Sequence, residues 1–219
     1  MRADLVIFDC DGVLVDSEPI TNRMLAQDMT RHGLPMSTDG AIELFVGGTI
    51  KSAFDQARTL GAALPDNWVD DFYDRMIEAL GREVVAVEGA EALLDQLDAS
   101  GIPYCVASNG PMRKMDATLK RTGLWPRVEG RIFSAHEVGV AKPDPGLFLY
   151  AAKALGTPPH CAVVIEDSAS GARAAQAAAM RCLGLTRDTP AKKLTAYGAE
   201  PIDRLDQVPE RLGLSSPSG

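Results

Sequence analysis

The chain has 219 residues and a formal net charge of −8, from 30 acidic and 22 basic side chains, and hydrophobic residues make up 46% of it. This composition is typical of a folded globular protein and excludes intrinsic disorder of the whole chain. The acidic charge balance argues against a nucleic-acid-binding protein, which usually carries a basic face. An acidic protein that binds an anionic substrate needs locally concentrated basic side chains or a bound metal ion.

The four cysteines, Cys10, Cys105, Cys161 and Cys182, form no Cys-x-x-Cys pair. We therefore expect no zinc site, and free buried thiols are typical of a reducing compartment. No apolar run approaches the length of a membrane span, and no signal peptide precedes the first predicted strand. These features predict a cytoplasmic protein that binds neither membranes nor nucleic acid.

Five short apolar runs predict buried parallel strands, because continuous apolar runs rather than alternating ones indicate helices on both faces of a sheet. The runs are 5–8, 104–107, 131–133, 162–165 and 181–185. Helical patterns lie between them, including an Ala-rich segment at 172–180. Alternating strands and helices predict an α/β fold, with a Rossmann-like parallel sheet and right-handed crossovers.

One stretch, 15–83, breaks this alternation after the first strand. It contains several amphipathic helical patterns, punctuated by glycines, and no convincing buried strand. The sequence therefore predicts an inserted α-helical cap domain at 15–83. The Rossmann-like core would then be formed by 1–14 and 84–219.

Polar side chains occur at the ends of the first two predicted strands, after the third, and at the end of the fourth. They are Asp9 and Asp11, then Ser108 and Asn109, then Lys142, and finally Glu166 and Asp167. Open α/β sheets bind ligands at the carboxyl ends of their strands, so we expect these side chains to lie together. Each has an ordinary alternative, such as a solvated turn or a helix N-cap. The order of acid pair, hydroxyl and amide, lysine and acid pair favours a functional site over coincidence.

The motifs at these positions resemble those of the haloacid-dehalogenase-like (HAD) superfamily of phosphotransferases. They read DCDGVLVDSE from Asp9, ASNG around Ser108, KPDP from Lys142 and EDS from Glu166. The resemblance covers nearly the whole chain with the motifs in the same order. The helical stretch at 15–83 is similar to the small helical cap of the family's β-phosphoglucomutase and phosphoglycolate phosphatase-like branch.

The resemblance implies catalytic roles for five residues. Asp9 would be the nucleophile that forms an aspartyl phosphate, and Asp11 the general acid and then the general base. Lys142 would bridge Asp9 and the transferring phosphoryl group and offset their negative charge. Ser108 and Asn109 would hold a phosphoryl oxygen.

The resemblance also implies Mg²⁺ as the cofactor, a hard cation that carboxylate oxygens and a phosphate suit. Its ligands would be Asp9, the backbone carbonyl of Asp11, and Asp167. Glu166 would lie close to the metal or act on it through water.

Two further segments bear on the substrate. The segment 108–111, followed by Lys114, is similar to phosphatases that act on 6-phosphogluconate, which makes this compound the first to test. Gly48 and Thr49 lie in a predicted cap loop facing the active site and are candidates for substrate selection. Arg113 and Lys114 either reach an acidic group of the substrate or are solvated helix charges, and we favour the solvated interpretation.

The predicted function is Mg²⁺-dependent hydrolysis of a small phosphorylated metabolite, a sugar or sugar-acid phosphate, by a monomer or weak homo-oligomer. A β-phosphoglucomutase-like isomerase is the main alternative, but those mutases carry a basic pair where this chain has Val46 and Ile50. A dehalogenase is disfavoured because family dehalogenases lack the second aspartate, here Asp11, and need no metal. A non-enzymatic phospho-accepting receiver is disfavoured because such modules are shorter and have no cap.

Overall fold

Six parallel strands form one sheet within residues 3–45 and 49–214, which are the residues that the computed structural model describes. The strands are β1 (Leu5–Phe8), β2 (Tyr104–Ser108), β3 (Ile132–Ser134), β4 (Ala162–Glu166), β5 (Arg181–Leu185) and β6 (Glu200–Ile202). They lie in the order β3-β2-β1-β4-β5-β6. The predicted α/β fold with a Rossmann-like parallel sheet is confirmed.

The five strands predicted from apolar runs are all present, with ends that differ from the prediction by at most one residue. The edge strand β6 is not predicted by the sequence pattern. It has only 3 residues and contains Pro201, which cannot donate a hydrogen bond to a neighbouring strand. A proline is tolerated in an edge strand, but a three-residue segment that contains proline gives no strand pattern in the sequence.

The first acidic motif follows β1, which lies at the centre of the sheet. Every residue of β1, β2 and β4 is buried, which explains their continuous apolar sequences. Phe8 in β1 is paired with Val106 of β2 on one side and with Ile165 of β4 on the other. The strand order reverses direction between β1 and β4, and open α/β sheets bind ligands beyond the carboxyl ends at such a point.

The chain divides into two compact units, Met1–Asp16 with Val85–Gly219, and Ser17–Val84. The Ser17–Val84 unit consists of the helices α1 (Glu18–Arg31), α2 (Thr38–Phe45), α3 (Ile50–Thr59) and α4 (Trp68–Glu83). No strand occurs among the residues described in this unit. The division into a helical cap at 15–83 and a Rossmann-like core at 1–14 and 84–219 stays a prediction.

A buried carboxylate joins α1 to α4 inside the helical unit. The oxygens of Asp28 accept hydrogen bonds from Arg75 at 2.6 and 3.0 Å and from Trp68 Nε1 at 2.9 Å. Burial alone would raise the pKa of Asp28, but the bonds from Arg75 and Trp68 outweigh it and lower that pKa. The indole of Trp68 also stacks on Phe72, with ring centroids 4.8 Å apart. Asp28 is therefore a structural charge of the helical unit.

The remaining helices belong to the unit that contains the sheet. They are α5 (Ala90–Ala99), α6 (Met112–Arg121), α7 (Trp125–Val128), α8 (Ala135–Val138), α9 (Gly146–Ala154), α10 (Ala169–Ala177), α11 (Ala191–Thr195) and α12 (Val208–Arg211). Two of them border the predicted site, because α6 follows the end of β2 and α10 follows the end of β4. The first turns of α6 and α10 therefore lie near the carboxyl edge of the sheet.

Two features bear on the predicted compartment. All four cysteines are free thiols, and Cys10, Cys105 and Cys182 are buried. In the part of the chain that the structure describes, every helix is too short or too polar to cross a bilayer. The cytoplasmic location itself stays a prediction.

Candidate active site

Three carboxylates come together at the carboxyl ends of β1 and β4. Asp9 directly follows β1, and its backbone N–H donates to the carbonyl of Ile165 at 2.9 Å, which continues the pairing of the two strands. One carboxylate oxygen from each of Asp9, Glu166 and Asp167 lies within 4.8 Å of the other two, and all three residues are buried. The structure thus brings the two acidic strand ends into one cluster.

Lys142 lies between two of these carboxylates. Its Nζ is 2.7 Å from Oδ1 of Asp9 and 2.6 Å from Oε1 of Glu166, and its side chain is only 3% exposed. The ammonium also lies 4.9 Å from the centre of the Phe148 ring. A buried ammonium without partners would be costly, so the two carboxylates are what keeps Lys142 charged in this position.

The pKa values of this cluster reflect its burial and its charges. Burial is the largest cause that raises the pKa of Asp9, to about 7; Lys142 opposes the increase, and Glu166 and Asp11 add to it. Burial alone would lower the pKa of Lys142, but Asp9 and Glu166 outweigh it and raise that pKa above its ordinary value. Three buried carboxylates with oxygens within 4.8 Å of one another concentrate negative charge, which attracts a cation.

Glu166 is enclosed by hydrogen bonds from its own strand end. Its Oε1 accepts from Lys142, and its Oε2 accepts from the N–H groups of Asp167 and Ser168 and from the Ser168 hydroxyl, at 2.9 to 3.0 Å. The side chain is 0% exposed. The nearby Gly171 of α10 makes this possible, because a Cβ there would lie 1.8 Å from Oε1 of Glu166. The carboxylate of Glu166 is thus held in place by four hydrogen bonds from protein groups.

The donor set of the cluster fits a magnesium ion. Mg²⁺ binds hard carboxylate oxygens through one or two side chains and retains several waters. Asp9 and Asp167 supply such oxygens beside Glu166, whose own oxygens already accept four hydrogen bonds from protein groups. We therefore regard Asp9 and Asp167 as the side chains that would hold the metal, with Glu166 behind them.

A glycine also supports the position of Asp167. Gly12 has a φ of +78°, and a Cβ on this residue would lie 2.0 Å from Oδ2 of Asp167. Any side chain at position 12 would therefore meet both backbone strain and a collision with the carboxylate. The turn after β1 thus leaves the room that Asp167 occupies.

The side chain of Asn109 holds the loop that carries Lys142. Its Nδ2 donates to the carbonyl of Lys142 at 3.1 Å, and its Oδ1 accepts from the N–H of Lys142 at 2.8 Å. Both ends of the amide are therefore engaged with the lysine backbone. These bonds position Lys142, and the role of Asn109 in binding a phosphoryl oxygen stays a prediction.

Ser108 stands at the end of β2, where its hydroxyl is buried. Its Oγ accepts a hydrogen bond from the N–H of Gly110 at 3.0 Å. The carbonyl of Gly110 in turn accepts from the hydroxyl of Ser134, at the end of β3, at 2.7 Å. The loop after β2 is therefore fixed on both sides, in a conformation that keeps the Ser108 hydroxyl at the carboxyl edge of the sheet.

Asp11 is paired with a lysine that the sequence analysis interprets differently. Nζ of Lys114, in the first turn of α6, is 2.8 Å from Oδ1 of Asp11, and the two side chains are 15% and 26% exposed. The interpretation of Lys114 as a solvated helix charge is therefore wrong, whereas the neighbouring Arg113 is exposed. No sequence signal reveals this pair, because its partners follow two different strands.

The predicted cap residues lie in the helical unit. Gly48 and Val46 fall outside the described residues. Thr49 is the N-cap of α3, where its hydroxyl accepts from the N–H of Ser52 at 3.0 Å and the Ser52 hydroxyl accepts from the N–H of Thr49 at 2.8 Å. The Thr49 side chain thus has a structural task as a capping box, and its predicted role in substrate selection stays a prediction.

Comparisons with known proteins agree with the four motifs. A family model described as haloacid dehalogenase-like hydrolase matches residues 3–179. The 6-phosphogluconate phosphatase of Escherichia coli is 30% identical, over 95% of this chain and 94% of its own length, and the hexitol phosphatase A of the same organism is 33% identical, over 87% of each. A crystal structure of a HAD family hydrolase from Deinococcus radiodurans, with bound phosphate and sodium, has a TM-score of 0.84 at 29% identity and covers 99% of each chain. The similarity therefore extends over both units of the chain.

Proposed function

Because the chain belongs to the haloacid dehalogenase-like hydrolase family, we propose that it is a Mg²⁺-dependent phosphatase that cleaves a small sugar or sugar-acid phosphate through an aspartyl phosphate on Asp9. The family and the phosphatase class predicted from the sequence are confirmed by the comparisons. The observation that carries the proposed mechanism is the ammonium of Lys142, held 2.7 Å from the Asp9 carboxylate in a buried acidic cluster.

In the proposed reaction, a carboxylate oxygen of Asp9 attacks the phosphorus atom, and the bond from phosphorus to the ester oxygen breaks. Lys142 lies beside the attacking carboxylate, so its positive charge offsets the repulsion between that carboxylate and the anionic phosphoryl group. Glu166 and Asn109 hold Lys142 in this position from its ammonium and from its backbone. We therefore assign positioning roles to Glu166 and to the Asn109 side chain.

Asp11 acts on the leaving group and then on water. As a general acid it donates a proton to the departing alkoxide, and as a general base it takes a proton from the water that hydrolyses the aspartyl phosphate. Its partial exposure fits this task, because the leaving group and the water must both reach it. The sequential use of one carboxylate leaves the enzyme in its starting protonation state after each turnover.

A bound Mg²⁺ would supply positive charge that stabilises the phosphoryl oxygens in the transition state. Asp9 and Asp167 would hold it, together with the backbone carbonyl of Asp11. The negative charge of the cluster supports this assignment, since three buried carboxylates have oxygens within 4.8 Å of one another.

The substrate proposal rests on the named relatives. One is a 6-phosphogluconate phosphatase and another a hexitol phosphatase, and both cover most of this chain. Both names denote phosphate esters of open-chain, six-carbon polyhydroxy compounds, a sugar acid in one case and a sugar alcohol in the other. We therefore propose that this class contains the substrate, with 6-phosphogluconate as the first candidate. We retain the proposal that the protein acts as a monomer or weak homo-oligomer.

A screen of phosphorylated metabolites, with released phosphate as the readout, tests the proposed function. We expect Mg²⁺-dependent release from a sugar or sugar-acid phosphate and from p-nitrophenyl phosphate, and no turnover by Asp9→Asn, which keeps the shape of the side chain but removes the nucleophile. Substantial turnover by Asp9→Asn would exclude Asp9 as the nucleophile. Conversion of β-glucose 1-phosphate into glucose 6-phosphate faster than any phosphate release would instead identify a mutase.

A further inference from the structure

Two lysines contact the two aspartates of the first motif, one lysine at each aspartate. Lys142 is enclosed with Asp9 and Glu166, and its side chain is 3% exposed. Lys114 pairs with Asp11, and both members of this second pair are partly open to solvent, at 15% and 26%. The first lysine is thus placed for the phosphoryl group, whereas the second lies where an incoming molecule can reach it.

The position of Lys114 can be related to the leaving group through Asp11. A general acid must lie within hydrogen-bond distance of the oxygen that it protonates. Nζ of Lys114 is 2.8 Å from Oδ1 of Asp11, so a leaving oxygen that receives its proton from Oδ1 would lie within about two hydrogen-bond lengths of the ammonium. A charged group on the leaving alcohol is therefore able to reach Lys114 without displacing the phosphoryl group from Lys142.

We propose that Lys114 is a specificity residue, which binds a carboxylate of the leaving group and thereby favours sugar-acid phosphates over uncharged sugar or polyol phosphates. This inference rests on the proposed phosphatase function and adds the residue that selects the substrate. It also distinguishes between the two substrate classes that these names suggest, because 6-phosphogluconate carries a carboxylate where a hexitol phosphate carries a hydroxymethyl group.

The chemistry around Lys114 favours a carboxylate over a second phosphate. Its ammonium already binds one carboxylate, with Nζ 2.8 Å from Oδ1 of Asp11. A phosphate group carries more charge and is usually bound by several cationic or N–H donors rather than by one lysine. The adjacent Asp9 and Asp11 would repel a second dianion more strongly than a single carboxylate.

The experiment compares two pairs of phosphate esters. Within each pair, one ester carries a carboxylate where the other carries a hydroxymethyl group. The pairs are 6-phosphogluconate with glucitol 6-phosphate, and 3-phosphoglycerate with glycerol 3-phosphate. The readout is the ratio of kcat/KM for the acid to kcat/KM for the alcohol, measured with Mg²⁺ for the wild type and for Lys114→Met. Loss of the lysine also removes the ion-pair partner of Asp11. This change affects kcat/KM for both esters of a pair and therefore cancels in the ratio.

We expect the wild type to prefer the acid in at least one pair, and Lys114→Met to lower that ratio by about tenfold or more, as for a lost hydrogen bond between charged groups. Lys114→Arg should keep most of the preference because it keeps the charge. Arg113→Met removes the neighbouring, exposed cation and should leave the ratio unchanged. If Lys114→Met does not fold, Lys114→Gln gives the same comparison with a polar side chain.

An unchanged ratio in the folded Lys114 variant, or a wild type without preference for the acid in either pair, would overturn the role of Lys114. Equal loss of preference in Arg113→Met would overturn it as well, because the effect would then be one of general charge. If the wild type releases phosphate from none of the four esters and not from p-nitrophenyl phosphate, the proposed function itself fails. If only p-nitrophenyl phosphate is hydrolysed, the protein is a phosphatase but the proposed substrate class is overturned.

Discussion

A Cβ on Gly171 would lie 1.8 Å from Oε1 of Glu166, so the first turn of α10 has room for the glutamate only because position 171 is glycine. The same oxygen accepts the hydrogen bond of Lys142 at 2.6 Å. The lack of a side chain at position 171 therefore lets Glu166 hold the Lys142 ammonium beside Asp9.

We therefore predict that Gly171→Ala displaces Glu166 and, with it, Lys142. Activity should fall by about a hundredfold, the loss typical of a misplacement of about 1 Å in a catalytic group. Stability should fall by about 1–3 kcal/mol from overpacking. Phosphate release and urea unfolding measure the two effects. Gly40→Ala is the control, because a Cβ on this helical glycine meets only ordinary contacts at 3.5 and 3.7 Å; full activity of Gly171→Ala would contradict the connection.

The second prediction concerns Gly12 and the affinity for metal. Gly12→Ala should weaken Mg²⁺ binding, measured by calorimetry, because its Cβ would lie 2.0 Å from Oδ2 of Asp167. Gly33→Ala is the matched control, since Gly33 also has a positive φ, +85°, but nothing lies within 4 Å of its Cβ. Backbone strain alone should lower stability in both variants, by about 1–2 kcal/mol. Equal Mg²⁺ affinity in the two variants would exclude Asp167 from the metal site.

The third prediction follows from the raised pKa of Asp9. A pKa of about 7 in the folded protein, against 3.8 for the ordinary group, means that the folded state binds more protons between these values. Stability then decreases as the pH rises through this window, because ionisation of the buried carboxylate opposes folding. The metal-free wild type should lose thermal stability from pH 4 to pH 7 relative to Asp9→Asn, which does not ionise.

Addition of Mg²⁺ should reduce this difference, because a cation stabilises the ionised carboxylate. Differential scanning calorimetry of both proteins, with and without Mg²⁺, provides the measurement. Parallel pH curves for the metal-free wild type and Asp9→Asn would show that the Asp9 pKa is not raised.

The fourth prediction concerns the helical unit. Asp28→Asn should reduce the free energy of unfolding by about 1–3 kcal/mol, because it removes the charge that Arg75 and Trp68 bind inside the unit. Because folding lowers the pKa of Asp28, the loss should be present above its ordinary pKa of 3.8 and should diminish as the pH falls below it. Urea denaturation at several pH values measures it.

Glu43→Gln makes the same change of charge at an exposed site of α2 and serves as the control. It should alter stability by less than about 0.5 kcal/mol. A loss in Asp28→Asn no larger than that of the control would show that the buried carboxylate does not stabilise the helical unit.

The sequence by itself determined the α/β class, five of the strands and the residues at the strand ends. Continuous apolar runs such as 5–8 and 162–165 are local patterns, and burial on both faces of a sheet produces them directly. The motif residues could be read because the carboxyl ends of parallel strands always meet at one edge of the sheet. The strand β6 was not predicted from the sequence because it is short and contains Pro201.

The tertiary structure alone decided the partners that hold this site in place. Lys142 and Asp9 are 133 positions apart in the chain, so their contact was expected only from the family resemblance and not from any local pattern. Neither the resemblance nor a local pattern predicted the bonds of Asn109 to the backbone of Lys142, or the pairing of Lys114 with Asp11. Hydrophobic periodicity reports only whether a residue faces the core, whereas the pairing of polar groups depends on where the folded sheet and helices place them. For that reason the strand-end residues could be found from the sequence, but the positioning of Lys142 and the partner of Asp11 could not.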